Sequence, residues 1–187
     1  MELCVRNLSK SYDGRAVLEN VSFTAPVGLT RIAGNSGIGK TTLLRILLGL
    51  ERADGGEVAP KNLRWAAVFQ EDRLIEGLDA AGNLRFALGA AYDGQEAARL
   101  LGELGLGDVG GKKVCDYSGG MKRRLALARA LLAPCDALAL DEPFTGLDRA
   151  SRDAALRAVL RAAEEKIVLL AAHETLALPT HCGEVKL

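Results

Sequence analysis

Gly34-Asn35-Ser36-Gly37-Ile38-Gly39-Lys40-Thr41 is the stretch on which the reading of this chain turns. It fits the pattern G-x-x-x-x-G-K-[ST], the P-loop. Glycines let a backbone curl until successive N–H groups point inward at phosphate oxygens, and a helix that starts at the end of the loop adds its positive pole. In that arrangement Lys40 reaches the β- and γ-phosphates and the Thr41 hydroxyl ligates Mg²⁺. The flanking sequence supplies the required setting. Leu29 to Ala33 reads as a buried strand, and Lys40 to Leu50 as a helix apolar nearly all round (Leu43, Leu44, Ile46, Leu47, Leu48, Leu50), hence buried on most sides.

Working outward, Leu3–Arg6 and Val17–Thr24 read as strands around a Ser11-Tyr12-Asp13-Gly14 turn, Asp54-Gly55-Gly56 as a second turn, and Trp65–Phe69 as a strand. Residues 79 to 106 are rich in Ala and Leu and predict two or three helices broken at glycines. Ser118–Leu132 predicts a further helix, stopped by Ala133-Pro134. Asp136–Leu140, Asp148–Ala163 and Lys166–Ala172 then read as strand, helix and strand, with Glu184–Leu187 able to supply a short last strand. Strands alternating with helices at both ends predict an α/β chain with a parallel sheet and a helical insertion between.

Two further segments carry chemistry. Ala137-Leu138-Ala139-Leu140 is an apolar strand that delivers Asp141 and Glu142 to its C-terminal end, where open α/β sheets bind ligands. Asp141 can hold Mg²⁺, and Glu142 is placed to act as general base on an attacking water. Ser118-Gly119-Gly120, ahead of a helix, pairs a good N-cap with free backbone N–H groups and makes a second anion cradle. One nucleotide does not need two cradles on one chain; a head-to-tail dimer would use both.

The chain resembles the ABC ATPases over essentially its whole length and in that family's order of motifs. Gly34–Thr41 resembles the Walker A segment, Leu138–Glu142 the Walker B segment with its catalytic glutamate, and Ser118-Gly119-Gly120 the signature. Gln70 resembles the Q-loop glutamine, Tyr12 the aromatic that stacks on adenine, Gly146-Leu147-Asp148 the D-loop and His173 the switch histidine. The resemblance implies a P-loop NTPase core with a mostly parallel sheet, an N-terminal antiparallel β subdomain and an inserted α-helical subdomain (about 75–132), all in one domain spanning 1–187. It implies ATP and Mg²⁺, with Tyr12, Gly34, Asn35, Ser36, Gly37, Ile38, Gly39, Lys40, Thr41, Thr42 and Gln70 on the nucleotide. Thr41, Gln70 and Asp141 would hold the metal; Glu142, His173 and Lys40 are the expected catalytic set. Ser118, Gly119, Gly120 and Asp148 would touch the ATP of a partner ATPase subunit, identical or not.

It also implies a transmembrane permease partner, reached through the groove beside Gln70 and Glu71–Ile75, and a place on the inner face of the cell membrane held through that permease. An extracytoplasmic solute-binding protein is a further expected partner. The Glu71–Ile75 stretch is similar to importer subunits for nitrate, sulfonate and taurine. Two departures stand out. Met121 follows the signature glycines where the family has Gln, and only 14 residues follow His173, which predicts no regulatory C-terminal domain.

Composition bounds the alternatives. Lys plus Arg and Asp plus Glu are 24 each, so the summed charge gives no reason to expect nucleic acid. The alternative of a soluble ABC ATPase working on nucleic acid or ribosomes stays open, without the coiled coil, zinc finger or second ATPase domain usual there. A module that holds ATP without hydrolysing it is opposed by the presence of Lys40, Asp141, Glu142 and His173, and a small-molecule kinase gives no reason for Ser118-Gly119-Gly120. Lys122-Arg123-Arg124 reads as a solvated helix face or an interdomain contact, His181 as a surface residue, and Cys4, Cys115, Cys135 and Cys182 as unpaired thiols. Met1–Lys10 lacks a secretory h-region, and no apolar run approaches the roughly 18 residues that span a bilayer.

Overall fold

The computed structural model describes residues 1–172, 178 and 182–187. Among them, β1 (Glu2–Tyr12), β2 (Arg15–Pro26) and β4 (Gly55–Ala59) form an antiparallel sheet in the order β2-β1-β4. A second sheet is wholly parallel, in the order β5-β6-β7-β3-β8, from β3 (Gly28–Ala33), β5 (Trp65–Val68), β6 (Ala137–Asp141), β7 (Ile167–Ala171) and β8 (Gly183–Lys186). The helices are α1 (Lys40–Leu47), α2 (Ala80–Leu88), α3 (Gly94–Glu103), α4 (Gly119–Leu132) and α5 (Arg149–Ala163).

The parallel sheet is a divider between two cores. Strands β6 and β7 are buried at every position, the pattern expected when both faces of a sheet are covered. Successive side chains point to opposite faces. Leu138, Leu140, Val168 and Leu170 therefore join a core with α2, α3, α4 and α5. Ala137, Ala139, Ile167, Leu169 and Ala171 join the other, with α1 and the inner side of β1 and β2. Small alanines on the α1 side let that helix lie close, which brings its N-terminus to the ends of β3 and β6.

The strands β1 and β2 are longer than their apolar cores suggest, because the whole hairpin is hydrogen-bonded to its tip, where Tyr12 pairs with Arg15. Gly55 and Gly56 are strand rather than turn. Gly56 sits at φ +95, where a Cβ would come within 2.6 Å of the Arg6 and Asn7 carbonyls. The glycine lets β4 cross an irregularity in the β1 pairing between Arg6 and Ser9. Helix starts follow the expected chemistry: Asp79, Asp93, Ser118 and Asp148 each accept a backbone N–H in the first turn of α2, α3, α4 and α5. No helix among the described residues is long and apolar enough to cross a membrane.

Candidate nucleotide site

Three strand ends converge on one cleft. The loop after β3 curls into α1, β5 runs out into Gln70, and β6 ends on Asp141. The cleft holds about 290 Å³ and is lined by Tyr12, Val17, Ser36, Gly37, Gly39, Lys40, Thr41, Thr42, Gln70, Asp141 and Glu142. It lies beyond the carboxyl ends of parallel strands, the general ligand position of such sheets.

The loop is shaped by its neighbours. Gly39, at φ +111, is the residue before α1, and a Cβ there would come within 2.9 Å of the Val17 carbonyl and Leu18. Only glycine lets β2 and the loop approach so closely, and that approach puts Val17 on the cleft wall. Lys40 is buried, and its Nζ donates to the carbonyls of Gly34 at 2.8 Å and Asn35 at 3.0 Å. The ammonium is thus held on the loop itself, pointed at the space the loop encloses. Thr41 Oγ1 donates to Asp141 Oδ2 at 2.7 Å, which joins two hard oxygen groups from opposite sides of the cleft.

Glu142 follows β6 with a left-handed backbone, φ 51, and its N–H donates to the Ala171 carbonyl at 2.8 Å. A non-glycine residue in that region costs roughly 1–2 kcal/mol, and here it aims the carboxylate into the cleft beside Asp141. The Thr145 hydroxyl lies 3.5 Å from Glu142 Oε2 as a donor.

At the other end of the cleft, Tyr12 is fixed from two sides. Its hydroxyl donates to Glu51, and Lys10 sits over its ring at 5.2 Å from the centroid. The Glu51 carboxylate, accepting the phenolic proton, pushes the Tyr12 pKa above its ordinary value. Lys10 is itself tied to Asp54 at 3.2 Å and to the Arg52 carbonyl at 2.9 Å. One face of an exposed aromatic ring is thereby set against a cation, and the ring remains a wall of the cleft.

Ser118, Gly119, Gly120 and Asp148 do not line this cleft. Ser118 and Gly119 are exposed at the start of α4, with Ser118 Oγ accepting from the Met121 N–H at 3.3 Å. Met121 packs partly buried against the helical core. Asp148 is exposed and spends its carboxylate on capping α5, accepting from the Ser151 N–H and hydroxyl at 2.9 Å each. Those bonds, the backbone one first, hold its pKa below the usual carboxylate value. Gly34, Asn35 and Ile38 belong to the same loop without lining the cleft. His173 and His181 lie outside the described residues.

Of the two readings of Lys122-Arg123-Arg124, a solvated helix face or an interdomain contact, the arginines fit the contact. Arg123 is 8 % exposed and reaches the carbonyls of Phe69, at 2.6 Å, and Gln70. Arg124 donates to the Leu104 carbonyl at 2.8 Å and the Gly105 carbonyl at 3.2 Å. A run of three like charges leaves both readings open, because sequence gives no hint of unpaired loop carbonyls nearby. Val17 and Glu51 were missed. The first is a strand residue with no motif, and the second lies 39 residues from the tyrosine it holds.

Comparison with known proteins adds the following. The family model described as ABC transporter matches residues 18–145. The aliphatic sulfonates import ATP-binding protein SsuB 1 of Paracoccus denitrificans is 38% identical over 180 residues, covering 92% of this chain and 73% of that protein. The corresponding protein of Cupriavidus necator is 42% identical over 161 residues, covering 80% of this chain and 53% of its own length. The chain thus spans between about half and three quarters of these relatives. Among solved structures, a chain from Pyrococcus furiosus superposes with a TM-score of 0.87 at 25% identity over 100% of this chain and 97% of its own. An ATP-binding subunit of an ABC transporter superposes with a TM-score of 0.80 at 26% identity, covering 92% of this chain and 80% of that one.

Proposed function

The chain belongs to the ABC transporter family and carries that family's ATP-binding, ATP-hydrolysing domain, and from that premise we propose that it powers a bacterial importer of a small organic sulfonate. The observation that carries the catalytic part is the Thr41–Asp141 contact at 2.7 Å in a cleft that also holds Lys40 and Glu142. Phosphate binding alone does not need a carboxylate beside the loop, whereas hydrolysis needs a base and a place for a cation.

In this reading the backbone N–H groups from Ser36 to Thr42 receive the phosphates and Tyr12 stacks on the adenine. Lys40 donates to phosphate oxygens and offsets the charge that develops on them. Glu142 takes a proton from the attacking water at its carboxylate. Thr41 and Asp141, with Gln70 beside them, form a hard oxygen donor set that fits Mg²⁺; they would hold the ion, which would supply charge neutralisation at the phosphates. Among the described residues no cluster of three or more His, Cys, Asp or Glu is placed to hold a metal.

The exposed turn at Ser118-Gly119-Gly120 serves the nucleotide of a second ATPase subunit, with Asp148 at the same interface, so that two chains enclose two ATP molecules. A transmembrane permease docks beside Gln70 and Glu71–Ile75. Exposed Ile75 and Phe86 support this dock: Asn83 of α2 binds the Ile75 backbone, and Phe86 lies one helical turn further on. That arrangement holds the chain at the inner face of the cell membrane, with a solute-binding protein outside. The relatives' names supply import and the sulfonate class.

The test compares wild type with Glu142→Gln for phosphate release and for molecular mass with Mg-ATP. Removing the base should lower hydrolysis about 10²- to 10⁴-fold while leaving ATP able to draw the variant into a dimer. A variant that hydrolyses at the wild-type rate refutes the base, and one that stays monomeric at saturating ATP refutes the shared site.

A further inference from the structure

The segment that carries Gln70 into the cleft is held by side chains of the helix that begins at the exposed signature turn. Arg123 of α4 donates to the carbonyls of Phe69 and Gln70 and forms an ion pair at 3.3 Å with Asp72 Oδ1. Arg129, further along α4, donates to the carbonyls of Asp72 at 2.9 Å and Arg73 at 2.6 Å. Lys122 reaches Glu76 at 3.0 Å. Within the segment, Arg73 has a left-handed backbone and its guanidinium lies over the Phe69 ring at 4.5 Å from the centroid. Asn83 of α2 takes the Ile75 backbone from the far end.

We infer that Arg123, with Asp72 as its counter-charge, is a positioning residue that locks the Gln70 segment to α4, so that Gln70 and the Ser118 turn move as one body. The inference rests on the ATPase reading given above and assigns it a residue that no motif marks. Burying a guanidinium is costly unless its donors are satisfied and its charge is paired. Here the planar fork spans two successive carbonyls while the carboxylate two residues on balances the charge. The Arg123 and Asp72 side chains are only 9 % and 20 % exposed, and burial pushes the Asp72 pKa up against the opposing pull of Arg123, Arg129 and Lys122. The consequence is geometric. Gln70 lines the cleft with Lys40, Thr41, Asp141 and Glu142, whereas Ser118 and Gly119 are exposed outside it, at the turn that the proposed function gives to the other subunit's nucleotide. A rigid grip between them lets engagement of one nucleotide set the position of a polar group at the other.

The test uses wild type, Arg123→Ala, Arg123→Lys and Asp72→Asn, each measured for affinity toward a fluorescent ATP analogue, for kcat and KM of phosphate release, and for thermal midpoint. The P-loop is untouched, so analogue affinity should stay within about twofold while kcat falls roughly tenfold in Arg123→Ala, the scale of a misplaced group near the reaction. Lysine keeps the charge opposite Asp72 but cannot span both carbonyls. Arg123→Lys should therefore recover the thermal midpoint without recovering kcat, a split that a purely structural role would not produce. Wild-type kcat in both Arg123 variants overturns the inference and leaves the ATPase reading standing, as does a loss of kcat that follows midpoint and affinity together. A wild-type chain that binds no nucleotide overturns both.

Discussion

At the scale of single residues the site depends on side chains arrested by something other than substrate. Lys40 is held on its own loop's carbonyls, Thr41 on Asp141, and Tyr12 between Glu51 and Lys10. Such restraint lowers the ordering cost that ligand binding otherwise meets. Tyr12 provides the cleanest check, because it stands on an exposed hairpin tip where truncation leaves the core alone. A base–aromatic stack is worth about 1–3 kcal/mol, so Tyr12→Ala should weaken ATP binding roughly tenfold, read by titration of a fluorescent analogue. The same change should barely alter the affinity for inorganic triphosphate, which has no base to stack. An equal loss for both ligands would remove Tyr12 from the adenine and assign it to the loop's stability. Residues of this kind were legible to different degrees. Lys40, Thr41, Asp141 and Glu142 announce themselves because their chemistry needs fixed spacings along the chain. Glu51, Asp72 and Arg123 do not, because their partners are dozens of residues away and any of them could equally have been a surface charge.

At the scale of elements, sequence periodicity located nearly every strand and helix and failed where backbone geometry rather than side-chain pattern decided the outcome. Gly55-Gly56 looked like a turn from composition, yet the positive φ at Gly56 serves a strand crossing an irregularity in its partner. The apolar runs of β6 and β7 could be read as buried, but not which partner lay on either side; that follows only from the strand order. The clamp at the foot of the sheet is of the same hidden kind. Arg64, just before β5, donates from Nε and Nη2 and from its backbone to the Asp136 carboxylate, just before β6. The side-chain bonds first, then the backbone one, hold the Asp136 pKa down to about 2. A carboxylate depressed in the folded state adds stability that is present above its unfolded pKa, roughly 3.9, and lost as pH falls through the folded value. Thermal midpoints of wild type and Asp136→Asn should therefore differ most above pH 5 and converge as pH falls from about 4 toward 2. A gap that holds constant across that range would show that the aspartate contributes shape and not charge.

At the scale of the molecule, two cores share one sheet, and the nucleotide cleft opens at the edge where both meet. The α1 side builds the phosphate loop from β3, while the opposite core, through α4, holds the Gln70 segment. A nucleotide in the cleft would touch groups delivered from both sides of the sheet and should therefore stabilise the fold as a unit. By mass action, ATP at about one hundred times its dissociation constant adds about 2.7 kcal/mol. For a chain of 187 residues, with roughly 2–4 °C per kcal/mol, the expected rise in thermal midpoint is about 5–10 °C. Chelating Mg²⁺ should remove much of that rise, because the Thr41–Asp141 pair would face phosphate oxygens without the cation between them. Arg123→Ala should keep most of it, since the phosphate loop is intact; Lys40→Ala should lose most of it. The ranking of these three conditions is the informative result. A rise insensitive to chelation would mean that the nucleotide is held without a metal at Asp141, and the donor set there would then need another purpose. A rise lost equally in Lys40→Ala and Arg123→Ala would mean that the two halves of the cleft do not bind separately, and that the grip of α4 on Gln70 is part of nucleotide capture itself.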